Sequence, residues 1–343
     1  TGFLTWFLVT AKILPFTAAT CIGVSVVCAV GCGVLYHFQG KNGIDCFPSG
    51  KVNLIYGEEI LFFIFFLMWT YFAGFRPQAY GTEKFMDYGF MEAMMRSTTL
   101  PARDLWYSEG TINYYYGGQY FAVFLTKLTG SKVELTYNLM RTFVAAFAFV
   151  LPFSLVHQMT LDMQGRVSGW KKNLPSITGF LAGLAVSIAG NMHYVVYAQI
   201  IPLIQKLKGE EVSSYWFPDA TRYIGFNPDV PDKTIHEFPC YSFVLGDLHA
   251  HVVNIMFVLL LLGLLYAWMK KVRNTTPSVE KQGRKKFWMK QLLMPQILAA
   301  AMLLGMFHWT NYWDFVIYYV VTGGTVLFMN IICLKGDIRR IAA

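Results

Sequence analysis

Two long apolar runs, 16-FTAATCIGVSVVCAVGCGVLY-36 and 252-VVNIMFVLLLLGLLYAWM-269, limit what this chain can fold into. Each approaches the ~20 residues that a helix needs to cross a bilayer. The whole chain leans the same way. It is 55% hydrophobic and 14% charged, against about 45–50% and about 25% in ordinary globular domains. Candidate spans fall at 16–36, 58–75, 133–157, 174–190, 251–270, 291–308 and 314–334. The fold class expected is an all-α polytopic membrane protein with about seven transmembrane helices, forming a single transmembrane domain over 1–343. Segment 3–14 reads as an interfacial helix, broken from the first span by Pro15. The chain begins at Thr1 without the basic region of a signal peptide and stops just after an apolar segment, so it reads as part of a longer protein.

The net charge of +8 is unevenly spread. From Lys270 to Lys290 there are eight Lys/Arg and one Glu, between two apolar spans. Basic loops of this kind stay in the cytoplasm, and they attract anionic lipid headgroups. No motif supports nucleic-acid binding. With 271–290 fixed as a basic cytoplasmic loop, stretch 191–250 is external, and it holds four Lys/Arg against seven Asp/Glu. Stretch 158–173, with Arg166, Lys171 and Lys172, is then cytoplasmic, as is the tail with Lys335, Arg339 and Arg340. This scheme works when 112–130 does not cross, which makes 76–132 a second external loop. The stretch 111-TINYYYGGQY-120 then lies on a juxtamembrane helix along the external face. Tyrosine suits that level, and Asn113, Gln119 and Lys127 are costly in hydrocarbon but not at its rim.

The six cysteines, Cys21, Cys28, Cys32, Cys46, Cys240 and Cys333, contain no CxxC pair. They read as small apolar packing residues rather than a disulfide or zinc framework.

The residue types that carry chemistry gather in the external loops. Glu83, Lys84 and Asp87 follow the second span. Asp87 opens a helical pattern, where a carboxylate is favoured by the helix dipole; at a membrane boundary it also suits a general base. Asp104 in 101-PARDLW-106 is either a turn cap or a ligand for a cation or a sugar hydroxyl, with Trp106, Tyr107 and Tyr114, Tyr115 and Tyr116 supplying aromatic faces. In 246-GDLHAH-251, Asp247, His249 and His251 share one face if extended, while Asp247 and His251 align if helical. Either spacing can hold a metal or a phosphate, and Asp247 can equally be an N-cap. Asn311 and Asp314 cap a span in 310-TNYWDF-315. P-loop, GxGxxG, GxSxG and HExxH motifs are absent.

Five of these segments resemble a family of bacterial and archaeal membrane proteins named for its YYY motif. They are 84-KFMDYGFMEAMMRS-97, 100-LPARDLWYSEGTINYYYGG-118, 190-GN-191, 237-EFPCYSFVLGDLHAHV-252 and 310-TNYWDF-315, in family order. One departure is that the family usually has Phe-Gly-His after the tyrosines, where this chain has Gly117, Gly118 and Gln119. That family in turn is similar in layout to the GT-C superfamily of polyprenyl-phosphate-dependent glycosyltransferases. The resemblance implies a sugar moved from a polyprenyl-phosphate donor to an unidentified acceptor, on the external face of a prokaryotic plasma membrane. It implies a first-loop aspartate acting as base or cation ligand, which Asp87 matches by position, with Asp104 next. Lys84, Arg103, Trp106, Asn113, Tyr114, Tyr115, Tyr116, Glu237, Asp247, His249, His251, Asn311 and Asp314 are the expected substrate-binding residues. A divalent cation, magnesium or manganese, is the candidate cofactor, with Asp87, Asp247, His249 and His251 as candidate metal ligands.

Three other readings compete. A lipid or solute transporter calls for ionisable groups in mid-span, for which Arg141 is the main candidate. A metal-dependent membrane hydrolase would centre on Asp247, His249 and His251. A structural subunit would pair with partners in a membrane complex.

Overall fold

The computed structural model describes residues 1–41, 52–81, 83–165, 171–226, 228–275 and 289–333. Cys46, Arg166, most of the basic 271–290 loop and the tail with Lys335, Arg339 and Arg340 lie outside the described residues. Among the described residues regular structure is helical, with two isolated bridges, Arg103–Thr111 and Phe226–Asp229.

Every candidate span forms a helix. They are α2 (Ala18–Lys41), α3 (Val52–Gly74), α6 (Val133–Gln164), α7 (Leu174–Ser187), α10 (Ala250–Thr275), α11 (Pro295–Thr310) and α12 (Tyr312–Cys333). Five of the seven, α2, α3, α6, α10 and α12, are long and apolar enough to cross a membrane. The other two have 14 and 16 residues. Shorter helices fill the connections: α1 (Gly2–Thr10), α4 (Lys84–Arg96), α5 (Gly117–Thr129), α8 (Ile201–Lys208) and α9 (Pro239–Leu245). The expected break near Pro15 is present, but the chain turns earlier, at Lys12, whose φ is 59°. The described cysteines are free thiols, with Cys21 fully buried.

The chain divides into two compact units, one of Thr1–Phe147 with Leu248–Ala343 and the other of Ala148–Asp247. In the first unit α10, α11 and α12 pack side by side. Val258, Leu261, Leu265, Leu303 and Phe307 form an apolar seam between α10 and α11. Further along, Trp268, Val272, Met294 and Met329 form a second cluster. Helices α2, α3 and α12 bury little and turn Val26, Val30, Phe63, Leu67, Val320 and Phe328 outward. Apolar side chains in that number need lipid around them.

Polar contacts show which helix ends meet. Arg141, in α6, donates from Nη2 to the carbonyls of Ala73 and Arg76 at the end of α3, both at 3.1 Å. Nearby, Asn138 donates to the Pro77 carbonyl at 3.0 Å. The charge at Arg141 is thus a helix cap, answering the orphan carbonyls at a C-terminus. A second set joins the start of α10, the end of α11 and the start of α12. Asn254 Nδ2 donates to Asp314 Oδ2 at 2.6 Å, and Thr310 Oγ1 donates to Asn254 Oδ1 at 2.9 Å. Asn311 Nδ2 adds a bond to Asp314 Oδ2 at 2.8 Å.

The second unit contains α7 and α9. Gly179 and Gly183 bring α7 against α6, where an added Cβ would lie 2.7–2.8 Å from the Phe153 and Phe149 carbonyls.

Candidate functional site

The site is built on α4 and α5. Helix α5 has 13 residues, about 20 Å at 1.5 Å per residue, too short for a bilayer core of about 30 Å. Gly117–Tyr120, Ala122–Phe124, Thr126 and Lys127 are all buried, while Phe121, Leu125 and Leu128, along one face, are half-buried. The Gly117–Gly118 pair permits this. A Cβ on Gly117 would lie 2.5 Å from Thr310 Cγ2 and 2.7 Å from the Trp309 ring. On Gly118 it would lie 2.8 Å from Val253 Cβ. Only bare backbone fits so close to α10 and α11.

This packing carries Gln119 inward, with no exposure. Its Nε2 donates to Asp87 Oδ1 at 2.7 Å and to the Leu248 carbonyl at 3.0 Å. Both partners are acceptors, which fixes the amide orientation. Asp87 is also wholly buried, one turn into α4. Its other oxygen, Oδ2, lies 3.2 Å from His249 Nδ1. On the far side of the ring, His249 Nε2 meets Glu83 Oε2. Glu83 and Asp87 stand four residues apart, so they project from one helix face, and the imidazole is held between them. Exposure rises along this line: the side chain of Asp87 is 0% exposed, His249 14% and Glu83 62%.

Such an arrangement can accept and pass a proton. The buried Asp87 carboxylate lies within ion-pair range of Nδ1, and Nε2 is the ring nitrogen on the more exposed side, toward Glu83. One carboxylate oxygen and one imidazole nitrogen 3.2 Å apart are also donor types for a divalent cation, although magnesium favours an all-oxygen set.

The other sequence-identified residues take varied places. Lys84 is buried in the first turn of α4. Asp104 closes a turn, its Oδ1 accepting the backbone N–H groups of Trp106 at 2.8 Å and Tyr107 at 3.0 Å. Arg103 and Asn113 are exposed in the same loop. Trp106 is exposed and sets its ring edge-on to Phe85 and Phe90. Tyr114 also rests on Phe90 and touches Tyr115. Tyr116 instead joins the core: its hydroxyl accepts from Trp6 Nε1 at 3.1 Å and its ring packs on Trp309. Burial pushes its phenol pKa up. The tyrosine run is therefore split, with Tyr114 outward and Tyr116 inward. His251 is exposed, its ring 5.9 Å from that of His249. Asn311 and Asp314 belong to the junction of α10, α11 and α12.

In the second unit, Glu237 accepts from Ser242 Oγ at 3.2 Å. Asp247 is buried, and its N–H bonds to the Ser242 carbonyl at 3.0 Å. Between them Gly246 ends α9 with φ 75°, a left-handed conformation that glycine adopts without strain.

Gln119 was not among the residues singled out for binding or catalysis, and Glu83 was named in the Glu83–Asp87 cluster without a role. The i,i+4 spacing of Glu83 and Asp87 was the available signal for Glu83. Gln119 carried a signal too: it stands where the resembled family has a histidine.

A family model described as "Uncharacterized membrane protein (DUF2298)" matches residues 1–339. No curated protein and no solved structure matches the chain. With five helices apolar and long enough to cross a bilayer and a match along nearly its whole length, the chain belongs to this DUF2298 family of membrane proteins.

Proposed function

We propose that this protein is a GT-C-type glycosyltransferase that moves a sugar from a polyprenyl-phosphate donor to an acceptor hydroxyl at the external membrane face. The observation that carries the reading is the buried Asp87 carboxylate held 3.2 Å from His249 Nδ1. In this scheme His249 Nε2 takes the acceptor's proton as its oxygen bonds to the anomeric carbon. The bond from that carbon to the phosphate oxygen breaks, and polyprenyl phosphate leaves with the electron pair. Asp87 has no exposure, so it acts as a positioning residue rather than as the base. Glu83 lies on Nε2 and is mostly exposed, so it can swing aside for the acceptor and then receive the proton. Arg103, exposed on the neighbouring loop, is the candidate countercharge for the leaving phosphate. Trp106 and Tyr114 are the candidate faces for the sugar. No step is assigned to a cation.

Three features support this reading over transport. The site lies between helix ends, outside the candidate spans. Arg141, the mid-span candidate, is a cap for α3. The ends joined by polar contacts are those that a seven-crossing topology places on one side: the end of α3 and start of α6, then the start of α10, end of α11 and start of α12. Helices α7 and α11 would make the sixth and seventh crossings together with the apolar residues that flank them, over 174–190 and 291–308.

The test is release of polyprenyl phosphate from radiolabelled polyprenyl-phosphate monosaccharides by purified protein in detergent, with water or a supplied alcohol as the acceptor hydroxyl. Loss with His249→Gln and retention with Asp104→Asn support the scheme. Turnover by His249→Gln at the wild-type rate contradicts it.

A further inference from the structure

The second unit holds a helix that its fold leaves uncovered. After α7, residues 188–194 lead into a π-helical segment, Val195–Ile200, that continues as α8 to Lys208. Neither part contains a buried residue. Its sequence, VVYAQIIPLIQKLK, is nonetheless mostly apolar. Ile200, Leu203, Ile204 and Leu207 follow the i, i+3, i+4, i+7 pattern of a single helix face. They are 44–80% exposed, with Leu207 the most exposed of the four. The opposite face is the one that touches protein. There Gln205 Oε1 accepts from the Ser213 N–H at 3.0 Å and from its hydroxyl at 3.1 Å, tying the returning chain to the helix. The apolar face is thus turned away from the protein.

We propose that Val195–Lys208 is an interfacial anchor. Its Ile200, Leu203, Ile204 and Leu207 face sinks among the acyl chains of one leaflet. Four observations favour lipid as the occupant. The chain belongs to a membrane-protein family. Seven residues separate this segment from the apolar α7, a reach of about 25 Å at most, so the helix starts close to where α7 ends. Its 14 residues span about 21 Å, too short to cross. Its ends carry headgroup-level side chains: Tyr194 and Tyr197 at one, Lys206 and Lys208 at the other. At the tyrosine end His193 stacks on Tyr197 at 4.3 Å, and its Nδ1 lies 3.4 Å from the Tyr215 hydroxyl. Trp216 beside it is also exposed.

The test is site-directed nitroxide labelling in nanodiscs of phosphatidylethanolamine and phosphatidylglycerol. Labels go on Leu203→Cys and Leu207→Cys for the apolar face, and on Glu211→Cys and Ser214→Cys, exposed polar positions on the returning chain. The signal of the unsubstituted protein is subtracted for the native thiols. Preferential collision with oxygen at 203 and 207, and with a water-soluble nickel chelate at 211 and 214, is the expected result. Equal chelate access at all four positions overturns the proposal. So does shielding of 203 and 207 from both reagents, the signature of a second protein copy on this face.

Discussion

His249 Nδ1 lies 3.2 Å from Asp87 Oδ2, and the same ring reaches Glu83 through Nε2. A histidine held between two carboxylates one helical turn apart connects the protein interior to its surface. The interior end of that line depends on Gln119.

Gln119 Nε2 is a charge-assisted donor to Asp87 Oδ1. In Gln119→Leu the buried carboxylate loses that donor, at a cost of about 1.5–3 kcal/mol. Gln119→His keeps an N–H in reach, so it should cost less. Thermal unfolding in detergent ranks the two variants, with Gln119→Leu melting lower.

The glycine pair makes a second prediction. In Gly118→Ala the new methyl meets Val253, a β-branched side chain with little freedom to move. Overpacking of this kind costs about 1–3 kcal/mol. Val253→Ala opens that space, so the double variant should recover part of the loss. Unfolding measurements on the two single variants and the double variant would show this as a non-additive cycle.

The place of that pair marks the limit of what the sequence conveys. Apolar runs long enough to matter announce themselves, and all seven candidate spans form helices. Asp87 and His249 stood out because ionisable residues are scarce in such a chain. Whether Tyr116 faces lipid headgroups or the core was not legible, because an aromatic run has the same composition in either place. The answer depends on Trp6 and Trp309, distant in sequence. Gln119 was hidden for the same reason: its role needs α5 to pass close enough to α10 for a glycine to be required. The turn at Asp104 was one of two readings of its loop, and the backbone bonds to Trp106 and Tyr107 supply it.

Asn254 is fully buried, and both ends of its amide are used, by Thr310 and by Asp314. Asn254→Leu takes one donor from Asp314, which keeps Asn311, and one acceptor from the Thr310 hydroxyl, which keeps the Met306 carbonyl, at a cost of about 0.5–1.5 kcal/mol for each hydrogen bond lost. Pairing it with Thr310→Val removes one of those groups, so the double variant should be less unstable than the sum of the two singles. A double-mutant cycle on unfolding free energy checks it.

The role of cations can be separated from that of the histidine. With proton acceptance at His249, chelation by EDTA should leave transfer at the wild-type level. Loss of activity on chelation, restored by manganese or zinc, would move Asp87 and His249 from proton transfer to ion binding.

Transfer by positional variants tests the central claim most directly. Purified wild type, Asp87→Asn, His249→Gln and Asp104→Asn are supplied with polyprenyl-phosphate sugars and with water or an alcohol as acceptor, and released polyprenyl phosphate is counted. The account predicts losses of about 10²–10⁴-fold for Asp87→Asn and His249→Gln, the usual worth of positioned acid–base catalysis. It predicts near-wild-type release by Asp104→Asn. Undiminished release by Asp87→Asn and His249→Gln, with both proteins folded, would contradict it.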